Sequence, residues 1–358
     1  MNNTIYSLQY LRAIAAALVV VHHAREQISG VRELFDSPFG SAGVDIFFVI
    51  SGFIMVHMTS GKRPAPLEFL IHRVARVAPL YWAFTAILAT LLLSAPGAFR
   101  STSFTTDALI NSLLFLPYEW TDGRVRPLLS IGWTLNYEMF FYLVFSASLF
   151  YRNESRRLPF VATCLTALII ISEASSSLFQ FHSTYISHYG SSIVLEFVAG
   201  MILAKLFRTG GFGIKSRGFV LLGSGIALFF AASLFMPEDG RLRFLYFGIP
   251  ASLVVGGCLD LEAARTSTRR SKLLLLLGDT SYSLYVSHIF TLGACRAAIS
   301  MTGIDISTWP EAIAFLVGSL MLCEIAGYAV YKLVERPLIR ASRHVTSRLL
   351  TTESVVNR

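Results

Sequence analysis

The sequence predicts an all-α fold: a polytopic membrane bundle of about ten transmembrane helices with both termini in the cytoplasm. Two observations predict it. Of the 358 residues, 54% are hydrophobic and the mean hydropathy is +0.59. Within that composition, apolar blocks of about 17–20 residues recur from end to end, each long enough to cross a bilayer. The second observation is an alternation of charge between successive loops, which sets orientation.

The blocks fall at roughly 7–24, 42–59, 77–95, 130–150, 159–175, 190–207, 218–236, 243–260, 275–295 and 311–333. The first follows only a few polar residues, contains Arg12 and is closed by no small-residue cleavage site, so it reads as a retained span. The apolar stretch 107–117 is too short to span and reads as an interfacial or re-entrant piece. In the loop between the second and third spans, Lys62, Arg63, Arg73 and Arg76 outnumber Glu68. Basic residues also dominate the loops near Arg156, Lys215 and Arg270 and the tail from Lys332. The intervening loops are neutral or negative. This pattern fits ten spans that begin and end in the cytoplasm. It gives one membrane domain over residues 1–337 and a basic cytoplasmic tail over 338–358.

The formal charge of +8 suggests no nucleic-acid partner, because the basic residues sit in short loops where topology explains them. Cys164, Cys258, Cys295 and Cys323 lie in or beside apolar blocks without metal-ligand spacing. They read as packing residues, and no metal is expected.

Ionisable groups inside spans are costly and usually face a polar interior, so they are the informative residues. In LRAIAAALVVVHHA, Arg12 and His23 are eleven residues apart. At about 100° per residue they share one face, some 16 Å apart along the axis, whereas His22 points about 80° away from Arg12. A reading of both histidines as interface anchors, with Arg12 snorkelling to phosphates, fits the same geometry. Asp45 opens an aromatic-rich span that Ser51 and Gly52 interrupt; these two read as packing positions. Arg73 and Arg76 share a face at i, i+3, just before Pro79. Two guanidinium forks there suit a phosphate-bearing ligand, although topology alone also asks for positive charge. In SIGWTLNYEMFFYLVF, Glu138 lies inside a span near Trp133 and calls for a partner such as an arginine from another helix, as part of a site or of a structural ion pair. Ser281, Tyr285 and His288 fall at i, i+4, i+7 and form an inward stripe, for chemistry or for helix–helix hydrogen bonds. Glu335 and Arg336 meet Pro337 as the last span ends. His57, His72, His182 and His188 lie near span ends, and Glu196 and Glu324 are intramembrane acids with no role that the sequence assigns.

Taken together, these segments resemble the acyltransferase-3 family of integral membrane acyltransferases, from Leu8 to Pro337, and within it the exopolysaccharide O-acetyltransferases. The start SLQYLRAIAAALVVVHHA and the run FFVISGFIM carry the closer likeness. The family's arginine–ten residues–histidine pattern falls on Arg12 and His23, and its paired arginines on Arg73 and Arg76. Its tryptophan-to-glutamate motif falls on Trp133 and Glu138, with Thr134 where serine is frequent. Its serine–tyrosine and histidine fall on Ser281, Tyr282 and His288, and its terminal glutamate–basic–proline on Glu335, Arg336 and Pro337. His22 departs from the apolar residue usual there.

The resemblance implies transfer of an acyl group, usually acetyl, from cytoplasmic acyl-coenzyme A (acetyl-CoA as substrate) to a sugar hydroxyl of a lipid-linked or polymeric glycan, in a bacterial inner membrane. It implies His23 as the catalytic residue, either a general base or a group that is itself acylated. Arg12, Arg73, Arg76 and Trp133 become donor-binding residues, with Asp45, Glu138, Ser281, Tyr282, His288 and Glu335 in support. A transporter of a glycan or small anionic solute is the rival class, since inward polar residues also line pathways; the absence of an inverted repeat speaks against it. A non-catalytic scaffold is a third class.

Overall fold

The computed structural model describes residues 5–34, 38–98, 102–178, 183–235, 241–265 and 270–342. His182 and positions 343–358 of the expected tail lie outside them. The described helices are α1 (Tyr6–Arg25), α2 (Ser29–Leu34), α3 (Ala42–Thr59), α4 (Pro66–Ser94), α5 (Thr106–Leu113), α6 (Trp133–Ser148), α7 (Arg157–Ser177), α8 (Thr184–Tyr189), α9 (Leu195–Arg208), α10 (Lys215–Phe235), α11 (Ile249–Ala263), α12 (Lys272–Thr302) and α13 (Trp309–Val330). Among the described residues the only β pairing is an isolated bridge between Glu119 and Val125.

A helix falls on each of the ten apolar blocks, and seven are long and apolar enough to cross a membrane by length and composition. The three that fall short are α1, α6 and α9. Helix α1 is rich in polar groups, and α6 and α9 have only 16 and 14 residues. The 107–117 stretch yields the eight-residue α5, too short to span. The outward faces are apolar: Leu93 is 63% exposed, Ile170 62%, Val220 67% and Ile325 67%. Such a surface suits lipid and not water. The chain is therefore an all-α polytopic membrane protein.

Local chemistry sets the helix ends. Pro66 occupies the first turn of α4, where a missing N–H costs nothing. Ser271 caps α12, accepting from Leu274 N, and Gly303 ends it in the left-handed region at φ 69°. Glu311 reaches back to Thr308 N at 3.0 Å and caps α13. A π-helical stretch, Phe244–Gly248, leads into α11. The last helix passes through a second π-helical stretch, Tyr331–Glu335, and continues through Pro337 to Ser342, past the expected end of the span.

The chain forms two compact units, residues 1–56 with 199–334, and residues 57–198 with 335–358. In the first, α12 packs between α1 and α13, and α11 packs on α10 and α1. Leu8, Leu11, Ile46, Phe53, Phe247 and Val255 belong to one core cluster, and Ala16, Val20, Leu284, Phe315 and Cys323 to another. Close helix approach depends on small residues: a Cβ on Gly278 would lie 2.3 Å from Gln9 O, and one on Gly43 2.3 Å from Ala15 O. In the second unit, α6 packs on α4 and α7, and α5 lies on α4. Ser112 Oγ of α5 accepts from Leu128 N at 2.7 Å, and Trp82 Nε1 donates to Leu113 O at 2.9 Å.

The glycine contacts give a paired prediction. Gly278→Ala forces backbone apart between α1 and α12 and should destabilise the protein by about 1–3 kcal/mol. Gly318→Ala meets open space and should be neutral or slightly stabilising. Thermal melting of the detergent-purified variants measures both; equal melting temperatures would remove the packing role given to Gly278.

Candidate functional site

In the first unit, the N-terminal half of α1 holds Arg12 in a relay. Arg12 Nη1 donates to Gln9 Oε1 at 3.1 Å, and Gln9 Nε2 donates to Asp279 Oδ1 of α12 at 3.0 Å. The guanidinium is thus oriented from α12 through an amide.

His23, three turns along α1, meets His288 of α12. Their ring centroids are 5.1 Å apart, and His288 Nε2 lies 3.4 Å from His23 Nδ1. Two backbone carbonyls fix the protons. His288 Nδ1 is 2.7 Å from Tyr285 O, and His23 Nδ1 is 3.0 Å from Val19 O. A carbonyl oxygen only accepts, so each Nδ1 carries hydrogen. His288 Nε2 is then the acceptor for the His23 Nδ1–H, and in the neutral ring the lone pair of His23 is on Nε2. A neutral imidazole so oriented can take a proton or attack a carbonyl carbon. His22 stands edge-on to His23, centroids 5.2 Å apart, and its Nε2 lies 3.8 Å from Glu26.

The stripe expected on α12 faces inward: Ser281, Tyr285 and His288 are all buried. Ser281 Oγ donates to Gly278 O at 2.8 Å, and Tyr282 beside it is half-buried. Asp45, fully buried, takes a bidentate ion pair from Arg243, with Nε at 2.9 Å and Nη2 at 2.8 Å. The guanidinium also lies 5.4 Å from the Phe247 ring centroid, within the π-helical turn. Arg243 went unnoticed in the sequence because it sits on the first residue of an apolar block, where a charge reads as topology.

In the second unit, Arg76 Nη1 donates to Glu335, whose side chain is 1% exposed. The paired-arginine motif and the terminal glutamate motif thus meet, so Glu335 positions one guanidinium. Arg73 is held differently. Its Nη2 lies 3.5 Å from Met58 Sδ, its guanidinium is 5.8 Å from the Phe69 ring centroid, and its Nε is buried without a hydrogen-bond partner. A buried charged donor left unmet is costly, so this position calls for an acceptor. Glu138 accepts from the Tyr142 hydroxyl one turn along α6. Trp133 packs edge-on to Tyr137, which stacks on His188 with centroids 4.3 Å apart and donates to His188 O at 2.7 Å. Burial holds the His188 imidazole down at about 4, so it stacks as the neutral ring.

The profile of an acyltransferase domain matches residues 5–327. The chain is 35% identical over 306 residues to the exopolysaccharide production protein ExoZ of Rhizobium meliloti, covering 85% of this chain and 91% of that one. It is 26% identical to the acyltransferase MdmB of Streptomyces mycarofaciens, covering 93% and 91% of the two chains. No solved structure matches.

The Asp45–Arg243 pair yields a prediction. Asp45→Ala strands a buried cation and should cost about 3–5 kcal/mol, whereas adding Arg243→Met should recover most of it. Melting curves of the single and double variants test this; an additive loss in the double variant would show that the pair is not coupled.

Proposed function

This chain belongs to the acyltransferase-3 family of membrane O-acyltransferases, and on that premise we propose that it moves an acetyl group from acetyl-CoA to a sugar hydroxyl of an exopolysaccharide or lipid-linked glycan. The glycan acceptor is suggested by the name of the relative involved in exopolysaccharide production. The loop charges support ten crossings of a bacterial inner membrane with both termini in the cytoplasm, where acyl-CoA is found.

The observation that supports the chemistry is the contact of His23 Nδ1 with Val19 O and His288, which places hydrogen on Nδ1 and, in the neutral ring, leaves Nε2 as the basic nitrogen. As general base, Nε2 takes the proton of the sugar hydroxyl while the oxygen attacks the thioester carbonyl. A tetrahedral oxyanion forms, the C–S bond breaks, and the proton passes from Nε2 to the departing thiolate, giving the sugar ester and free coenzyme A. His288 is a positioning residue in this scheme, since it acts through His23 Nδ1. Arg73, with an unpartnered Nε, grips a donor phosphate, and Arg76 does so in the orientation that Glu335 sets. Arg12 offers a further charge, aligned by Gln9, and Trp133 offers an aromatic edge to the donor.

Membranes carrying the protein, supplied with radiolabelled acetyl-CoA and acceptor glycan, test the reading. His23→Ala should abolish transfer; retention of full activity would contradict it. His288→Leu should lower kcat about tenfold to hundredfold with donor KM unchanged, because it disturbs only the reacting ring. Label trapped on the protein without acceptor would select an acyl-His23 route through the same nitrogen. Arg73→Ala should raise donor KM about tenfold or more, the loss of a charged hydrogen bond, and leave acceptor KM unchanged. An unchanged donor KM would refute that role.

A further inference from the structure

Asn136 is a buried polar side chain of the second unit that the reaction above leaves unused. It is 0% exposed, and neither Oδ1 nor Nδ2 has a hydrogen-bond partner. Leaving a buried donor or acceptor unmade costs about 1–3 kcal/mol for each group, so an amide empty on both sides calls for an explanation.

Its surroundings indicate where a partner would come from. Gly132, four residues earlier, packs on α4: a Cβ there would lie 2.3 Å from Tyr81 Oη. The i, i+4 relation turns Asn136 to the same side, toward α4 and one turn further along α6. Trp133 precedes Asn136 by three residues. On α4, Arg73 precedes Tyr81 by eight residues, about 12 Å along the axis. The two helices are antiparallel, with Ser146 near the end of α6 donating to Pro66 O at the start of α4, so the step from Gly132 to Asn136 leads back toward Arg73 and leaves about one turn between the guanidinium and the unpaired carboxamide.

We propose that Asn136 is a donor-binding residue that pairs with an amide of the pantetheine arm of acyl-CoA. The proposal rests on the acyl-CoA reading above. A carboxamide with one free donor and one free acceptor is complementary to a secondary amide, with Nδ2–H to its carbonyl and Oδ1 from its N–H. The pantetheine arm carries two such amides in line with the diphosphate that Arg73 would hold. A single sugar hydroxyl offers its donor and acceptor at one oxygen, a poorer match to the two separate atoms of a carboxamide. In this account the arm, once bound, supplies the hydrogen bonds that the empty protein lacks.

Binding to the full-length purified protein tests this with two probes, coenzyme A and adenosine 3′,5′-bisphosphate, which lacks the arm. Asn136→Leu should weaken coenzyme A about tenfold, the effect of one to two hydrogen bonds. It should leave the bisphosphate unaffected, and without ligand the melting temperature should hold or rise, because an unpaired buried amide has gone. Asn136→Ser, a smaller change, should weaken coenzyme A in the same sense. Unchanged coenzyme A affinity in both variants, equal weakening of both probes, or a rise in acceptor KM alone would overturn the proposal. Failure of the wild type to bind coenzyme A would overturn the acyl-CoA reading and this proposal together, and the wild-type measurement alone identifies that case.

Discussion

The contact between α1 and α12 is the constraint on which the catalytic half of the account depends. Gly278 lets the two backbones approach, Gln9 bridges from Arg12 to Asp279 at one level, and His23 meets His288 at another. Lengthening that approach by a methyl group disturbs both levels at once. Backbone carbonyls within the helices then do what side chains alone could not: Val19 O and Tyr285 O place hydrogen on one nitrogen of each ring.

The second unit solves a different problem. In the proposed function, charged groups there await an anion without being neutralised in its absence. Arg76 is committed to a nearly inaccessible Glu335, which aims it. Arg73 is left with soft partners, a thioether sulfur and an aromatic face, that orient a guanidinium without matching a carboxylate's strength. The Tyr137–His188 stack braces the helix that carries Trp133, Asn136 and Glu138.

Much of this was legible in the sequence, for physical reasons. Long apolar blocks marked the helices because a bilayer sets a minimum length. Helical phase put Arg12 and His23 on one face and set His288 on an inward stripe with Ser281 and Tyr285, and the structure buries that stripe. What stayed hidden was the identity of partners, which only tertiary packing supplies. Asp45 was visible as a costly acid, but Arg243 lies about two hundred residues away at the edge of another block. Tyr142 stood four residues from Glu138 and was not read as its partner. Gln9 and Asp279 were not singled out, and Asn136 drew no attention between Trp133 and Glu138. The last helix ran on through Pro337 because a proline reads as a stop only when its neighbours offer no other way to satisfy the backbone.

The chemistry turns on His23 carrying hydrogen on Nδ1 and, as the neutral ring, its lone pair on Nε2. The ring-nitrogen spectrum of 15N-histidine-labelled protein in bilayers reads this directly, with the His23 signals identified by their loss in a His23→Gln variant. The expected result is hydrogen on Nδ1 and none on Nε2 in the neutral ring of His23. Hydrogen on Nε2, with the lone pair on Nδ1, would contradict it.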